Sequence, residues 1–302
     1  MSKIIALVVT YNRKELLKEN IEALLTQQYN EFDILIVDNA STDGTKELME
    51  NYKENNRIIY ENTGVNLGGA GGFHYGIKKA IELGYDYCWL MDDDTIPKDT
   101  ALEVLVNKSQ ELNNEFSYLC SYVKWIDGTP CKMNQVIADR LWFDEADKLA
   151  NNKVLKSKSC TFVSVFVNLE VSKKVGLPVR QMFIYGDDHE YTTRLSKEKP
   201  GYFVFDSIVV HKMGSNQGYN IENIPKERIS RYFYDSRNRL YRAKKEGARE
   251  LIGYFYWFIT SFGKILVKSK NKRLYRMWVI LKGFGAGLFF NPKIEFAVLE
   301  EK

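Results

Sequence analysis

The sequence of 302 residues is 45% hydrophobic and 27% charged, a balance typical of globular rather than disordered proteins. Its formal net charge of +4 is too small to indicate a nucleic-acid-binding protein. No stretch offers the about 18 uninterrupted apolar residues of a membrane-spanning helix, and the N-terminus lacks the pattern of a signal peptide. The four cysteines have no metal-ligand spacing, so we expect reduced, buried thiols.

The first part of the chain alternates between strand and helix patterns. Continuous apolar runs indicate buried strands, and apolar residues at helical spacing indicate the helices between them. The seven segments are, in chain order, IIALVVTY, RKELLKENIEALLTQQ, FDILIVD, TKELMENYKE, RIIYEN, GGFHYGIKKAIELG and YDYCWLMDDD. This order predicts an α/β fold with a mainly parallel sheet and helices on both faces. Ligands bind at the carboxyl ends of such strands, where TYNR, DNAST and DDDT lie.

The second part of the chain is less regular. CTFVSVFVNLEV and GYFVFDSIVVH have strand patterns, and helical, aromatic and basic segments begin near Pro225. We therefore predict an α/β domain over residues 1–217 and a C-terminal helical region over residues 218–302.

Three adjacent aspartates, Asp92 to Asp94, end the fourth predicted strand. Like charges this close repel one another, so a bound cation would explain them. If the strand continues, Asp92 and Asp94 point to one side and Asp93 to the other. Paired carboxylates suit Mg²⁺ or Mn²⁺. The alternative is a solvated acidic turn before Pro97.

A glycine-rich segment, NLGGAGGFHYG at residues 66–76, leads into the third predicted helix. Glycine permits close backbone approach, and a helix N-terminus favours an anion, so the segment suits a phosphate group. It lacks the ending of a Walker loop and does not follow the first strand as a dinucleotide-binding loop does. The alternative is a flexible turn at a helix entry.

A second acidic cluster lies in FIYGDDHEYTTRLS, residues 183–196. Glu190 and Arg194 are four residues apart and can brace a helical turn. Asp187 or Asp188 at the helix entry can act as a general base or simply as an N-cap. His211 ends a later apolar strand, where it is either structural or a metal ligand.

In this order and spacing the segments resemble a family 2 glycosyltransferase with the GT-A fold, over roughly residues 3–245. The motifs that carry the resemblance are VVTYNRKELL, IVDNASTDGT, NLGGAGGFHYG, LMDDDT, DDHEYTTRL and YFYDSRNRLYRAKK. Bacterial galactofuranosyltransferases are the most similar members, followed by rhamnosyltransferases. The chain departs from the family where a tryptophan often precedes the acidic pair, because Tyr185 and Gly186 stand there.

The resemblance implies a role for each matching residue. Residues expected to bind the nucleotide-sugar donor are Thr10, Tyr11, Asn12, Arg13, Asp38, Asn66, Gly68, Gly69 and Asp93. Asp92, Asp94 and His211 are the expected metal ligands, and Asp188, or Asp187, is the expected catalytic base. Residues expected to contact the acceptor or the sugar are Trp89, Tyr185, Glu190 and Arg194.

The implied activity is metal-dependent sugar transfer with inversion onto a lipid-linked or polysaccharide acceptor in O-antigen, capsule or cell-wall synthesis. UDP-galactofuranose is the favoured donor and dTDP-rhamnose the alternative. A nucleotidyltransferase is disfavoured because VVTYNRKE lacks the glycines that its first loop needs. A non-catalytic relative is disfavoured because the acidic residues are present.

The C-terminal region combines cations with aromatic rings. Between Leu251 and Ile294 there are eight basic residues and no acidic one, together with YFYWF and further aromatic residues. This composition predicts helices at a membrane surface, while the alternatives are a core-packing appendage and a homo-oligomer interface. The family resemblance favours a cytoplasmic protein, peripheral on the inner face of the membrane. The basic residues are Lys264, Lys268, Lys270, Lys272, Arg273, Arg276, Lys282 and Lys293.

Overall fold

The computed structural model describes residues 2–218 and 220–297. The strands are β1 (Ile4–Thr10), β2 (Asp33–Asp38), β3 (Ile58–Asn62), β4 (Tyr87–Asp92), β5 (Thr95–Pro97), β6 (Tyr118–Trp125), β7 (Ile137–Ala138), β8 (Val154–Ser159), β9 (Val165–Asn168) and β10 (Gly201–His211). The helices are α1 (Lys14–Leu25), α2 (Thr45–Glu50), α3 (Gly68–Glu82), α4 (Ala101–Glu111), α5 (Ala146–Asn151), α6 (Leu169–Val175), α7 (Asp187–Glu198), α8 (Tyr232–Glu246), α9 (Ala248–Lys268) and α10 (Arg273–Phe289).

All the strands join one sheet in the order β3-β2-β1-β4-β9-β6-β10-β8-β7, with β5 beside β10. As predicted, β1 to β4 are parallel. Strand β9 runs antiparallel to both β4 and β6, and β6 is parallel to β10. Two reversals restore the direction, so β4 and β10 end at the same edge of the sheet. This edge brings the predicted site segments together.

Strand β1 is buried on both faces, as its unbroken apolar run predicts. Ile4, Ala6 and Val8 belong to the core that also holds residues of α1 and α4. The alternate residues, Ile5 and Leu7 among them, belong to the core on the other face, with residues of α3 and α7. The two cores fix both faces of the central strand, so the polar residues after Val9 emerge only at its carboxyl end.

The middle of the chain differs from its predicted strand. Within CTFVSVFVNLEV only Val165–Asn168 is a strand, and α6 begins at Leu169. The predicted strand is too long at both ends. At its N-terminal end the chain must turn between β8 and β9, with Ser164 at φ 70°. At its C-terminal end the Asn168 side chain accepts from the Glu170 N–H and starts a helix.

The C-terminal helices pack on one another and on the part of the chain that forms the sheet. Helix α10 lies against α8, where a Cβ on Gly283 would stand 2.6 Å from the Phe233 carbonyl oxygen. The segment after α10 returns to the part of the chain that forms the sheet, where the Leu177 N–H donates to the Glu295 carbonyl over 2.7 Å. The proposed boundary near residue 218 stays a prediction. Among the described residues, no helix combines the length and hydropathy needed to cross a bilayer.

Candidate active site

Three predicted metal ligands converge at the edge where β4 and β10 end. Asp92 ends β4, Asp94 lies in the turn that follows, and His211 ends β10. One oxygen or nitrogen atom from each side chain lies within 4.8 Å of the others. His211 Nε2 is 3.0 Å from Asp94 Oδ1. The sequence motifs, more than 115 residues apart, thus form one cluster.

These residues fit a divalent cation. A six-coordinate ion with bonds of about 2.1 Å separates neighbouring ligand atoms by about 3 Å, the separation of the His211 and Asp94 atoms. A metal-ligating histidine ordinarily donates its other ring N–H to an oxygen atom. His211 Nδ1 lies 2.8 Å from Asn134 Oδ1, so Asn134 fixes the ring with Nε2 directed at the acidic cluster.

Asp93 lies apart from this cluster, for a reason other than the one predicted. Strand β4 ends at Asp92, and Asp93 and Asp94 form a turn, so the alternation of a continuing strand does not apply. Asp93 instead accepts from the Thr10 hydroxyl over 2.8 Å and from Arg13 over 3.2 Å. These bonds tie the acidic turn to the end of β1.

Arg13 is the second cation at the acidic turn, after His211. Its Nη1 donates to Asp94 Oδ2 over 2.5 Å as well as to Asp93. Burial opposes ionisation of Asp94, but His211 and Arg13 outweigh burial and lower its pKa. Burial, reinforced by the charge of Asp94, raises the pKa of Asp92 to about 7. Asp92 therefore has the least charge compensation and the most to gain from a bound cation.

Burial and neighbouring charges also shift the pKa values of Asp93 and His211. Burial raises the pKa of Asp93 to about 6, although Arg13 partly offsets this. Burial would lower the pKa of His211, but its hydrogen bonds with Asp94 and Cys131 and the charges of Asp94 and Asp92 together outweigh burial and raise the pKa to about 9. Without a metal, both ring nitrogens of His211 face oxygen atoms and can act as donors.

The segments predicted to bind the nucleotide meet at the ends of β1 and β2. The Asn12 side chain accepts from the Thr42 N–H over 2.7 Å, and the Asn12 N–H donates to the Ser41 hydroxyl over 2.9 Å. Tyr11 is exposed beside them. Asp38 is fully buried and already accepts from Ser41, Tyr60 and Asn62. A direct contact between Asp38 and a nucleotide stays a prediction.

The glycine-rich segment packs more tightly than an open phosphate loop. Gly68 has φ 71°, and a Cβ there would lie 2.2 Å from the Phe183 carbonyl oxygen, which itself accepts from the Ala70 N–H. The Asn66 side chain accepts from the Gly68 N–H. Gly68 thus packs against Phe183, and its expected contact with a ligand stays a prediction. A side chain at Gly69 would meet nothing within 4 Å, so Gly69 remains open to a ligand.

The two candidate bases open helix α7. Gly186, at φ 81°, precedes the helix and neither aspartate side chain caps it, so the N-cap alternative is wrong. Asp187 is buried, and this burial, with the charge of Asp188, raises its pKa; Asp92 contributes further. Asp188 is half-buried, and its Oδ1 accepts from the His189 N–H over 2.7 Å. Both carboxyl groups thus lie in the first turn of α7, and the Asp187 carboxyl group is near enough to Asp92 for the charge of Asp92 to raise its pKa.

Three of the residues expected to contact acceptor or sugar have structural roles. Trp89 is fully buried in the core, where its indole N–H donates to Ser164. The prediction for Trp89 is wrong because the pleat of β4 directs this side chain into the sheet–helix interior. Glu190 and Arg194 form the alternative brace, with two bonds of 3.0 Å. Arg194 also donates to three backbone carbonyl groups, so its donors are already engaged.

Tyr185 is half-buried in the turn before α7, with its backbone at φ 69°. Its ring centroid lies 6.1 Å from that of Tyr232 in α8. Its predicted contact with a sugar or an acceptor stays a prediction.

Sequence reasoning missed several residues that organise this site. Asn134 lies in an irregular region where no spacing or motif indicated its bond to His211. Asn238 and Arg237 belong to YFYDSRNRLYRAKK, which carried the family resemblance but received no role. Their side chains contact the backbone of the turn before α7. The RN pair was the only available signal for these two residues.

Comparison with known proteins decides the family. The model of glycosyl transferase family 2 matches residues 5–172, more than half of the chain. The chain belongs to glycosyl transferase family 2. The predicted family and the predicted class of enzyme, a glycosyltransferase, are therefore confirmed.

Among the relatives of this glycosyltransferase is galactofuranosyltransferase GlfT1 of Mycolicibacterium smegmatis. The two are 26% identical over 298 residues, which cover 93% of this chain and 95% of the relative. The abequosyltransferase RfbV of Salmonella typhimurium is 40% identical over 120 residues, covering 37% of this chain and 34% of the relative. The predicted likeness to galactofuranosyltransferases is confirmed along almost the whole length of both chains.

A solved structure, that of S. aureus TarS, has the same fold with a TM-score of 0.56 and 14% identity. The match covers 95% of this chain and 44% of the TarS chain. A complex of TarS residues 1–349 with UDP also matches with a TM-score of 0.56 and 14% identity, covering 92% of this chain and 69% of that one. This likeness concerns the fold, and it agrees with the predicted GT-A type.

Proposed function

We propose that this glycosyltransferase is metal-dependent and inverting, and that it moves galactofuranose from UDP-galactofuranose onto an acceptor hydroxyl group. The observation that carries the proposal is the cluster of Asp92, Asp94 and His211. This cluster lies at the same edge of the sheet as the loops after β1 and β2. A cation held at this edge would neutralise the charge of the nucleoside diphosphate as its bond to the sugar breaks.

Two comparisons support the choice of donor. The relative that covers nearly the whole chain is named a galactofuranosyltransferase, and a solved structure of the same fold is titled as a complex with UDP. By analogy, the loops after β1 and β2, with Asn12 and Arg13 beside Ser41 and Thr42, are proposed to hold the uridine and its diphosphate.

Asp92, Asp94 and His211 would hold the cation. When bound, it neutralises the charge that develops on the diphosphate leaving group. The donor set has two carboxylate oxygens and one imidazole nitrogen. Imidazole suits ions softer than Mg²⁺, whose sites are built from carboxylates, water and phosphate groups. We therefore expect Mn²⁺ to support the reaction better than Mg²⁺.

Asp188 is proposed to accept the proton of the acceptor hydroxyl group. The acceptor oxygen attacks the anomeric carbon from the face opposite the diphosphate, a new C–O bond forms, and the bond to the diphosphate oxygen breaks with inversion. Asp188 is preferred to Asp187 because it is half-buried and within reach of an acceptor, whereas Asp187 is buried. The raised pKa of Asp187 also favours its protonated form, which cannot accept a proton.

The acceptor is proposed to be a lipid-linked glycan of the cell surface, reached from the inner face of the membrane. In support, the outer faces of α9 and α10 carry an exposed apolar stripe between lysine residues. Arg276 is the exception among the eight basic residues, since it is buried and donates to the carbonyl groups of Ile221 and Ile224. The apolar members of the stripe are Ile252, Tyr256, Ile259, Leu266, Leu274, Trp278, Leu281 and Leu288.

The deciding experiment is sugar transfer to a polyprenol-linked acceptor from a panel of UDP- and dTDP-sugars, with Mn²⁺, Mg²⁺ or excess EDTA. Transfer from UDP-galactofuranose that requires a metal is expected, and Asp94→Asn should lower the rate by about 100-fold or more, because a main charge-stabilising ligand is lost. Full activity of the wild type in EDTA would contradict the metal role. Transfer from dTDP-rhamnose alone would replace the proposed donor.

A further inference from the structure

The turn formed by residues 182–186, which joins the body of the domain to α7, has an unusual backbone. Phe183 and Tyr185 have φ values of 65° and 69°, and Gly186 has a φ of 81°. Left-handed conformations are costly for residues other than glycine, and they persist where the surrounding structure enforces them. The 182–186 turn therefore needs an external support.

A buried side chain of α8 provides much of that support. Asn238 is 1% exposed. Its Nδ2 donates to the carbonyl oxygens of Met182, Ile184 and Tyr185 over 3.0, 3.0 and 2.8 Å. An amide group has two N–H donors, so one hydrogen is shared between two carbonyl groups. Arg237 Nε donates to Asn238 Oδ1 over 3.0 Å and so fixes which way the amide faces.

The opposite side of the turn is held by α3. The Phe183 carbonyl accepts from the Ala70 N–H over 3.2 Å, and the absence of a side chain at Gly68 allows the Phe183 carbonyl and ring to pack against the start of α3. Arg237 Nη2 donates further hydrogen bonds to the carbonyl oxygens of Gln181 and Met182. The turn is thus clamped between the glycine-rich segment and α8, and its carbonyl groups are directed outward to these two helices.

We propose that Asn238 is a positioning residue for the catalytic base, acting through the 182–186 turn. Asp187 and Asp188 follow the turn directly and open α7, so the path of the turn sets where their carboxyl groups lie. The inference rests on the proposed function, since it presumes that one of these carboxyl groups is the base. It gives the C-terminal region an indirect part in catalysis, because the clamp belongs to α8.

The clamp should affect the reaction rate because it sets the position of the base. Proton transfer from the acceptor requires the base within hydrogen-bond reach, and a misplacement of about 1 Å can cost about 100-fold in rate. The loops after β1, β2 and β4 are proposed to hold the nucleotide and the metal, whereas the Asn238 side chain bonds to the 182–186 turn and to Arg237. Loss of the clamp should therefore affect turnover and leave nucleotide binding in place.

The test uses the full chain with Asn238→Ala. We expect kcat to fall by about 10- to 100-fold, while the donor KM and the affinity for UDP, measured by calorimetry, change by less than about twofold. Hydrogen exchange followed by mass spectrometry should show faster exchange of the amides of residues 183–188. If Asn238→Ala does not fold, Asn238→Ser, which keeps one donor, takes its place with the same pattern at smaller size.

The matched control is Ser236→Ala. Ser236 is as buried as Asn238 on the same helix, but its hydroxyl donates to the Ile280 carbonyl in α10 and does not reach the turn. It should lower stability without changing kcat by more than about twofold. An equal loss of kcat in Ser236→Ala, or wild-type kcat and wild-type exchange in the Asn238 variant, would overturn the inference. If the wild type transfers no sugar, the proposed function fails instead, and exchange at residues 183–188 alone decides the clamp.

Discussion

At the scale of single residues, the site depends on side chains that hold other side chains. Thr10 and Arg13 hold Asp93, Arg13 also holds Asp94, and Asn134 holds His211. Each of these bonds directs a polar atom toward the edge of the sheet where ligands bind in such folds. Substitution of one of these supporting residues should therefore change the affinity for the metal ion or the donor, although every metal-ligating side chain is still present.

Asn134→Ala should weaken Mn²⁺ binding by about 10- to 100-fold, because His211 loses the partner that orients its ring. Binding is measured by electron paramagnetic resonance of free Mn²⁺, which needs no turnover. Asn152→Ala is the control, since the Asn152 side chain donates to the Lys148 carbonyl in α5 and, within residues 2–218 and 220–297, makes no other hydrogen bond. Unchanged Mn²⁺ affinity in folded Asn134→Ala would show that this bond does not support the metal site.

The two adjacent aspartates make a second test at this scale. Asp188→Asn should lower kcat sharply and leave the affinity for UDP near that of the wild type, because a base acts mainly in the transition state. Asp187→Asn, in the neighbouring position, should have the smaller effect. Steady-state kinetics and calorimetry measure the two quantities. An inactive Asp187→Asn beside an active Asp188→Asn would move the base by one residue.

At the scale of elements, glycines let helices approach their neighbours. A Cβ at Gly76 in α3 would lie 2.3 Å from Leu7 of the central strand, and one at Gly283 in α10 would lie 2.6 Å from the Phe233 carbonyl of α8. The first contact sets α3 against the sheet, and the second sets α10 against the helix that carries Asn238. Composition alone did not distinguish these glycines from those that face solvent.

Two glycines that lie on different faces of α10, Gly283 and Gly285, test this packing. Gly283→Ala should destabilise the protein by about 1–3 kcal/mol, since the new methyl group meets backbone and cannot be accommodated by a rotamer change. Gly285→Ala meets nothing within 4 Å and should stabilise it by about 0.5–1 kcal/mol through helix propensity. Urea denaturation measures both. The same sign for both variants would mean that α10 is not packed on α8 in this way.

At the scale of the whole molecule, the C-terminal helices present a surface unlike the rest of the protein. Ile252 and Ile259 in α9 are 71% and 69% exposed, and neighbouring lysines, among them Lys264 and Lys268, are exposed as well. Apolar side chains flanked by cations suit the surface of an anionic bilayer. A homo-oligomer interface remains the alternative prediction, and it would bury the same stripe.

We predict that the protein floats with vesicles that contain anionic lipid, less with neutral vesicles, and less again at high salt because of screening. Ile252→Asp combined with Ile259→Asp should abolish flotation and leave transfer to a soluble acceptor intact. Leu83→Asp, on an exposed apolar residue just after α3, is the control. Equal failure of folded wild-type protein on both kinds of vesicle, with a concentration-dependent mass in solution, would assign the stripe to self-association.

The sequence by itself determined the layers of the fold and the segments of the site. Apolar runs such as IIALVVT and the helical spacing of α1 and α3 depend on local periodicity, so strands β1 to β4 and their helices could be predicted. Parallel strands end at one edge, which placed Asp92 and Asp94 beside the loops after β1 and β2. The triple aspartate, the acidic pair and His211 were visible because they follow apolar runs.

Only the tertiary structure decided which of these residues are free to act. Trp89 is buried, Glu190 and Arg194 brace each other, Gly68 accommodates Phe183, and Arg276 holds two backbone carbonyl groups. Asn134 contacts His211, which is 77 positions away in the chain. Asn238 contacts residues that are between 53 and 56 positions away. Such contacts follow from how strands β4, β9, β6 and β10 are ordered and where α8 docks. Periodicity reports which face of an element is buried, whereas the partner of a polar side chain depends on the packing of distant elements.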